Sequence, residues 1–312
     1  MRTLVVGAGA VGGYFGGRLA EAGRDVTFLV RPRRAAELAE SGLVIRSPLG
    51  DVTIATPKTV LAENLAQTFD LVLLSSKAYD LDSAIDSFAP AVGASTAIVP
   101  LLNGMRHLDA LDRRFGRDRV LGGQCVIGAT LNEKREIVHL NNAHTLGFGE
   151  RDGSRSDRVK TIAAEMDGAR FTAYPSGTVM ADMWEKWVFL ATLGGCTCLM
   201  RATMGDITAA PGGTEFALAL LEECRSVAAL SGVEPRAAFL DRTRAMLTAA
   251  GSPLNASMLR DVESNSPVEA DHIIGDLIER GSKLDLPLLQ IVYTHLKAYE
   301  ARRARTTPAA KP

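Results

Sequence analysis

Six residues near the start of the chain constrain its fold more than any other feature: Gly7-Ala8-Gly9-Ala10-Val11-Gly12, directly after the apolar run Leu4-Val5-Val6. A G-x-G-x-x-G segment that leaves a buried strand and opens a helix is the fingerprint of a dinucleotide-binding βαβ unit. Gly7 permits the tight turn, Gly9 lets the main chain approach a pyrophosphate, and Gly12 lets the helix lie close on the strand. Ala8, Ala10 and Val11 complete the loop, where the N–H groups and partial positive charge of the helix start face the phosphates. Met1-Arg2 before an apolar run also imitates the start of a secretion signal. The glycine spacing has the better explanation in phosphate binding.

Short runs rich in Val, Leu and Ile at 4–6, 26–30, 71–74 and 97–99 have the length and composition of strands buried on both faces. Helical stretches at 11–22, 33–41 and 81–88 lie between them, and this alternation predicts a parallel sheet of α/β class. Further strands are expected at 43–45, 52–55, 125–131, 137–140 and 145–148, with antiparallel pairs at the edges. After residue 171 helical periodicity takes over, at 179–200, 213–231, 235–249, 267–281 and 287–303. Tyr174-Pro175-Ser176-Gly177 reads as a turn-rich joint, with Thr178 a candidate cap for the next helix. A length of 312 residues suits two domains at about 150 residues each. Residues 1–174 are expected to form a Rossmann-like domain and 175–303 an all-α domain. Residues 304–312, with Pro308 and Pro312 and few large apolar side chains, read as a disordered tail.

Composition narrows the partners. Lys and Arg number 35 against 36 Asp and Glu, a net charge of −1, so no surface is built broadly to neutralise nucleic-acid phosphates or a membrane. The longest uncharged stretch of the second half, 187–200, is shorter than the roughly 18 residues a bilayer span needs. Cys125, Cys196, Cys198 and Cys224 read as reduced thiols of a cytoplasmic protein. Cys196-Thr197-Cys198 lacks the second pair of ligands that zinc would need, and Glu269 with His272 is a single i, i+3 pair. No metal is expected.

The end of the second strand carries Arg31, where an NAD-binding protein would hold an acidic ribose ligand. Pro32, Arg33 and Arg34 follow. Pro32 suits the first helical position, so Arg33 and Arg34 fall in a turn where the helix dipole disfavours cations. A 2′-phosphate accounts for them there, pointing to NADPH. Lys77 and Asn103-Gly104 stand just past the third and fourth strands, where ligands of such sheets bind. Lys186 has an ordinary explanation as the i+4 ion-pair partner of Asp182, and Glu269 as the end of a capping box, Ser266-Pro267-Val268-Glu269. Ser257 and Asp261 share a helix face, which fits either a site or a solvated surface.

The N-terminal GAGAVGG, SKAYD at 76–80, NGM at 103–105, MWEKW at 183–187, SMLRD at 257–261 and VEADHIIGD at 268–276 occur in the order and spacing of the ketopantoate reductase family. The chain resembles that family over nearly its whole length. The resemblance implies an α/β N-terminal Rossmann domain, an all-α C-terminal domain similar to that of 6-phosphogluconate dehydrogenase, and a site in the cleft between them. It implies reduction of 2-dehydropantoate to (R)-pantoate with NADPH, toward pantothenate and coenzyme A. Lys186 matches the catalytic lysine, Glu269 a glutamate near substrate and cofactor, and Ser257 a substrate-contacting serine. Asn103 and Lys77 match positions lining the cofactor and substrate cleft. Many members carry asparagines four and eight residues after the lysine, where this chain has Leu190 and Gly194. That departure leaves a paralogous reductase of another 2-oxo acid as an alternative, and a non-catalytic NADPH-binding regulator as one of another class. A small-molecule 2-oxo acid is the expected partner and a homodimer the expected assembly.

Overall fold

The computed structural model describes residues 1–306, in two compact units. The first comprises Met1–Leu102 and His107–Met180, and the second Asn103–Arg106 with the chain from Ala181 onward.

In the first unit, β1 (Arg2–Val6), α1 (Ala10–Glu21), β2 (Asp25–Leu29) and α2 (Pro32–Ser41) open the chain, followed by β3 (Leu43–Arg46), β4 (Val52–Ile54) and β5 (Thr59–Val60). Next come β6 (Phe69–Leu74), α3 (Leu81–Phe88), β7 (Val92–Pro100), α4 (Arg106–Phe115), β8 (Gly122–Leu131), β9 (Ile137–Gly149), α5 (Asp157–Met166) and β10 (Thr172–Pro175). One sheet, in the order β5-β2-β1-β6-β7, is wholly parallel. The chain leaves β1 toward β2 and returns on its other side as β6, so the strand order reverses at β1. Ligands of open α/β sheets bind at such a switch point. The second sheet, β10-β9-β3-β4 with β8 on β9, is mixed, its antiparallel pairs being β3 with β4 and β8 with β9.

Helix α1 packs against strands of both sheets because glycine lines its two flanks. A Cβ on Gly16 would stand 2.7 Å from Phe28 and 2.9 Å from Val5, both in the parallel sheet. On Gly13 it would meet Ile137 at 2.5 Å, and on Gly17 both Ile45 and Leu43 at 2.8 Å, all in the mixed sheet. The reward is a core in which Tyr14, Phe15, Leu19, Phe28, Leu43 and Ile45 are fully buried, each large apolar side chain contributing about 1.5–3 kcal/mol.

The second unit is helical: α6 (Val179–Met200), whose first two residues belong to the first unit, α7 (Met204–Ala209), α8 (Gly213–Leu230), α9 (Ala237–Leu247), α10 (Ser257–Glu263), a π-helical turn (Asp271–Gly275), α11 (Asp276–Arg280) and α12 (Pro287–Thr306). Residues 191–198 of α6 are buried without interruption, as a helix at the centre of a bundle must be. Glu223 of α8 accepts the main-chain N–H groups of Leu288 and Leu289, so the start of α12 is capped by another helix. No described helix is long and apolar enough to cross a membrane.

Four sequence expectations need correction. Tyr174 and Pro175 are not a loose joint; they close β10, pairing with Gly147 and Phe148 of β9. The stretches at 137–140 and 145–148 form one continuous strand, β9. The expected helix at 267–281 starts at Ala270, so Ser266–Glu269 is no capping box; the Glu269 carbonyl instead accepts the Ile273 N–H at 2.9 Å. Residues 304–306 of the expected tail are the last residues of α12, where the Thr306 hydroxyl donates back to the Arg302 carbonyl. The rest of the tail, 307–312, lies outside the described residues.

Candidate active site

The glycine loop sits at the β1/β6 switch point. Gly7 has φ +94°, a conformation other residues rarely adopt, and its N–H donates to the Leu29 carbonyl of β2 at 2.9 Å. Gly9 is the N-cap of α1 and has no side chain to occupy that position. The first turn of α1 therefore has no capping side chain and no acidic residue, which leaves its N–H groups available to an anion. Nothing lies within 4 Å of where a Cβ on Gly9 would project, whereas at Gly12 it would stand 2.0 Å from Ser75 Oγ and 2.3 Å from the Gly7 carbonyl. Ser75, just past β6, donates to the Val6 carbonyl at 2.8 Å and pins the loop to the neighbouring strand. No sequence signal singled out that serine; its role depends on the pairing of Leu74 with Val6.

The arginine cluster divides. Arg31, exposed at the N-cap of α2, reaches Asp80 at 2.8 Å. Arg34 turns the other way and donates to the Ala8 carbonyl of the glycine loop at 3.1 Å. Of the cluster, Arg34 rather than Arg31 touches the fingerprint directly. Arg33 and Arg34 also bond Glu37 at 3.1 Å, as does Arg135 of the β8–β9 turn. Burial alone would raise the Glu37 carboxyl, but the three guanidinium groups hold it below its ordinary value. The cations of the first turn of α2 thus already have a carboxylate one turn on. Lys77 is exposed, opening the short turn 78–80 after β6 that ends in Asp80.

In the second unit the candidates converge on the π-helical turn. Trp187, beside Lys186 on α6, is fully buried and donates its indole N–H to the Ile273 carbonyl at 2.9 Å. The Ile273 N–H in turn bonds the Glu269 carbonyl, and the His272 ring is hydrogen-bonded to the backbone of Asn103. Gly104, at φ +76°, lies so close to His272 that a Cβ there would be 2.9 Å from its carbonyl and 3.0 Å from its ring. Arg106 completes the contact, with Asp276 at 3.6 Å and with Glu279. Burial keeps His272 below its ordinary imidazole pKa against the pull of Glu269 and Asp276, and raises the Asp276 carboxyl despite Arg280 and Arg106. Lys186 is half-buried on α6. Its neighbour Glu185 serves the fold: only 4% exposed, it accepts the Arg236 main-chain N–H at 2.8 Å and the side-chain Nε at 2.7 Å.

Ser257 stands apart from this convergence, exposed at the first position of α10. The next residue, Met258, rests on α6: its methyl lies 2.9 Å from where a Cβ on Gly194 would be. Among the described residues, no group of three or more His, Cys, Asp or Glu side chains is placed to hold a metal ion.

Two family models match the chain, Ketopantoate reductase PanE/ApbA over residues 3–153 and Ketopantoate reductase PanE/ApbA C terminal over residues 178–300. The chain belongs to the ketopantoate reductase family. Within that family it is 39% identical to an uncharacterized oxidoreductase, YkpB, of Bacillus subtilis, over 97% of this chain and all of the relative. It is 26% identical to the 2-dehydropantoate 2-reductase of Mesorhizobium japonicum, over 92% of this chain and 93% of that one. The crystal structure of 2-dehydropantoate 2-reductase from Methylococcus capsulatus superposes with a TM-score of 0.86 at 28% identity, covering 99% of this chain and all of that one. This ketopantoate reductase family member is an oxidoreductase with the family's fold, a parallel sheet with helices in the N-terminal half and a helical C-terminal half.

Proposed function

We propose that the chain reduces a 2-oxo acid with NADPH, and that the substrate is 2-dehydropantoate and the product (R)-pantoate. The observation that carries the reading is the open start of α1 at the switch point, with Gly9 facing empty space. The residues fit a dinucleotide: Gly7, Ala8, Gly9, Ala10, Val11 and Gly12 would hold the pyrophosphate on their N–H groups. Arg31, with Arg34 beside the loop, would meet a 2′-phosphate, and Lys77, Asn103 and Glu269 would serve the rest of the cofactor. Because Arg31 rests on Asp80 and Arg34 on Glu37, a 2′-phosphate must compete with those carboxylates. Arg31→Asp is expected to weaken NADPH much more than NADH. Relatives named 2-dehydropantoate 2-reductase, matched over nine-tenths of the chain, support the substrate. In this reading the first unit serves the cofactor, and the second supplies the acid and shapes the substrate pocket.

A bound reduced nicotinamide supplies the hydride; proton and orientation fall to the chain. As the 2-keto carbon becomes tetrahedral, negative charge develops on its oxygen. The Lys186 ammonium stabilises that charge and donates the proton, leaving a neutral amine and a hydroxyl. Asn103 and Ser257 orient the substrate by hydrogen bonds, and Glu269 holds a substrate hydroxyl or the lysine.

One observation favours a second reading. With Leu190 half-buried one turn from Lys186 and Gly194 covered by the Met258 methyl, the wall near the lysine is apolar and carries no amide at either position. Such a wall suits a 2-oxo acid with an apolar side chain. A hydrogen bond lost there changes preference by about 1 kcal/mol. Oxidation of NADPH against a panel of 2-oxo acids decides: selective turnover of 2-dehydropantoate supports the first reading, turnover of an apolar 2-oxo acid the second. Tight NADPH binding without turnover marks a regulatory protein instead. Lys186→Ala must abolish turnover while NADPH still binds; near-normal turnover removes Lys186 as the acid.

A further inference from the structure

The π-helical turn Asp271–Gly275 gathers three tethers that the roles proposed for Lys186, Asn103 and Glu269 leave unexplained. Its Ile273 carbonyl accepts the Trp187 indole N–H next to Lys186, its Ile273 N–H donates to the Glu269 carbonyl, and its His272 ring is hydrogen-bonded to the backbone of Asn103. The turn closes through the Asp276 N–H and the Asp271 carbonyl, five residues apart. One residue more than an α-turn rotates the positions that follow by about 100°, which lets residues 272 and 273 face two different neighbours at once. Its outer side is fixed by the Tyr293 hydroxyl and the Lys297 ammonium, which hold Asp271 at 2.6 and 3.0 Å.

We propose that His272 is a positioning residue: by holding the backbone of Asn103 on the π-turn, it fixes the Asn103 amide relative to Glu269 and Lys186 and so sets substrate orientation. Gly104 is required for this, since any side chain there would meet the His272 ring and carbonyl. Arg106, on Asp276 and Glu279, is the second bolt of the same segment. His272 is 5% exposed, so its bond to Asn103 is sheltered from water, where breaking it leaves a polar group without its partner. The proposal deepens the 2-oxo acid reductase reading and rests on it for its kinetic part.

The test has two arms. Amide exchange followed by mass spectrometry in His272→Ala is expected to accelerate at least tenfold over residues 103–106, with 187–198 unchanged. Unaltered exchange at 103–106 overturns the proposal, whatever the substrate proves to be. Kinetically, His272→Ala is expected to raise KM for the 2-oxo acid at least tenfold, with a smaller loss of NADPH affinity because Asn103 also serves the cofactor. His272→Gln, which keeps a donor, should recover to within threefold. A Gln variant as impaired as Ala means that the ring only fills space. If wild type turns over no 2-oxo acid, the functional reading fails and the exchange arm still decides the positioning role. Should His272→Ala not fold, His272→Asn, too short to reach Asn103, takes its place against Gln.

Discussion

Gly9 and Gly12 have the same chemistry and opposite surroundings, and that contrast separates folding from binding. Gly12 faces Ser75 Oγ at 2.0 Å and the Gly7 carbonyl at 2.3 Å from its Cβ site. The serine can swing aside; the carbonyl belongs to a loop held on β2 and cannot. Gly12→Ala is therefore expected to cost about 1–3 kcal/mol in urea unfolding and to weaken dinucleotide binding as the loop shifts. Gly9, at φ −83° and ψ −162° with nothing within 4 Å of its Cβ site, accepts alanine without strain. Gly9→Ala should leave stability unchanged or raise it by about 0.4–1 kcal/mol, because alanine restricts the unfolded chain. The added methyl projects into the space kept open above α1, so NADPH affinity, read by fluorescence titration, should fall at least tenfold. Full affinity in Gly9→Ala removes the loop as the pyrophosphate site.

At the scale of elements, α2 shows how local electrostatics set a pH dependence. Glu37 gathers Arg135, Arg34 and Arg33, which outweigh the burial that would raise its carboxyl and hold it below its unfolded value of 4.5. A carboxylate depressed in the folded state binds fewer protons there than in the unfolded chain. The stability it contributes is complete well above pH 4.5 and is lost as pH falls through the lower folded value. Urea unfolding across pH 3–6 should show an acid limb that Glu37→Gln flattens; an unchanged limb means the carboxylate has no net effect. What was legible in the sequence follows the same local logic. Buried parallel strands and long helices declare themselves through unbroken Val, Leu and Ile runs or helical periodicity, and β1, β2, β6 and α6 lie where those patterns predict. Features set by a partner distant in sequence leave no such mark. The π-turn reads as plain helix, and its contacts with Trp187 and Tyr293 join residues distant in sequence. Likewise β9 looks like two strands because polar Asn141 and Asn142 interrupt its apolar runs. At the candidate site, Lys186, Asn103 and Glu269 are legible in motifs, whereas the main-chain contacts of Ser75 with β1, of Arg34 with the glycine loop and of His272 with the NGM segment join partners that only folding brings near.

At the scale of the molecule, each unit hides its thiols. Cys125, on β8 of the first unit, and Cys196, Cys198 and Cys224, on α6 and α8 of the second, are all buried and none is in a disulfide. Burial pushes the thiols of Cys196, Cys198 and Cys224 from 9.0 up to about 12. A thiol must be both reached and ionised to react; folding denies both conditions to Cys196, Cys198 and Cys224, and access to Cys125. Ellman's reagent at pH 8 should therefore find no fast-reacting thiol in the native protein and all four in urea. One rapidly labelled thiol in native protein would mean that its unit opens far more readily than its packing implies. The same shift predicts a loss of stability of the second unit at alkaline pH. Between 9.0 and about 12 the unfolded chain has released thiol protons that the folded chain retains, so the folded state binds more protons and stability falls as pH rises. Urea midpoints measured from pH 8 to 11 should decline, and Cys224→Ala, which removes one of the three buried thiols, should make the decline shallower even where it lowers the midpoint at pH 8 through the cavity it leaves. An equal slope in both proteins would show that the alkaline loss comes from other groups.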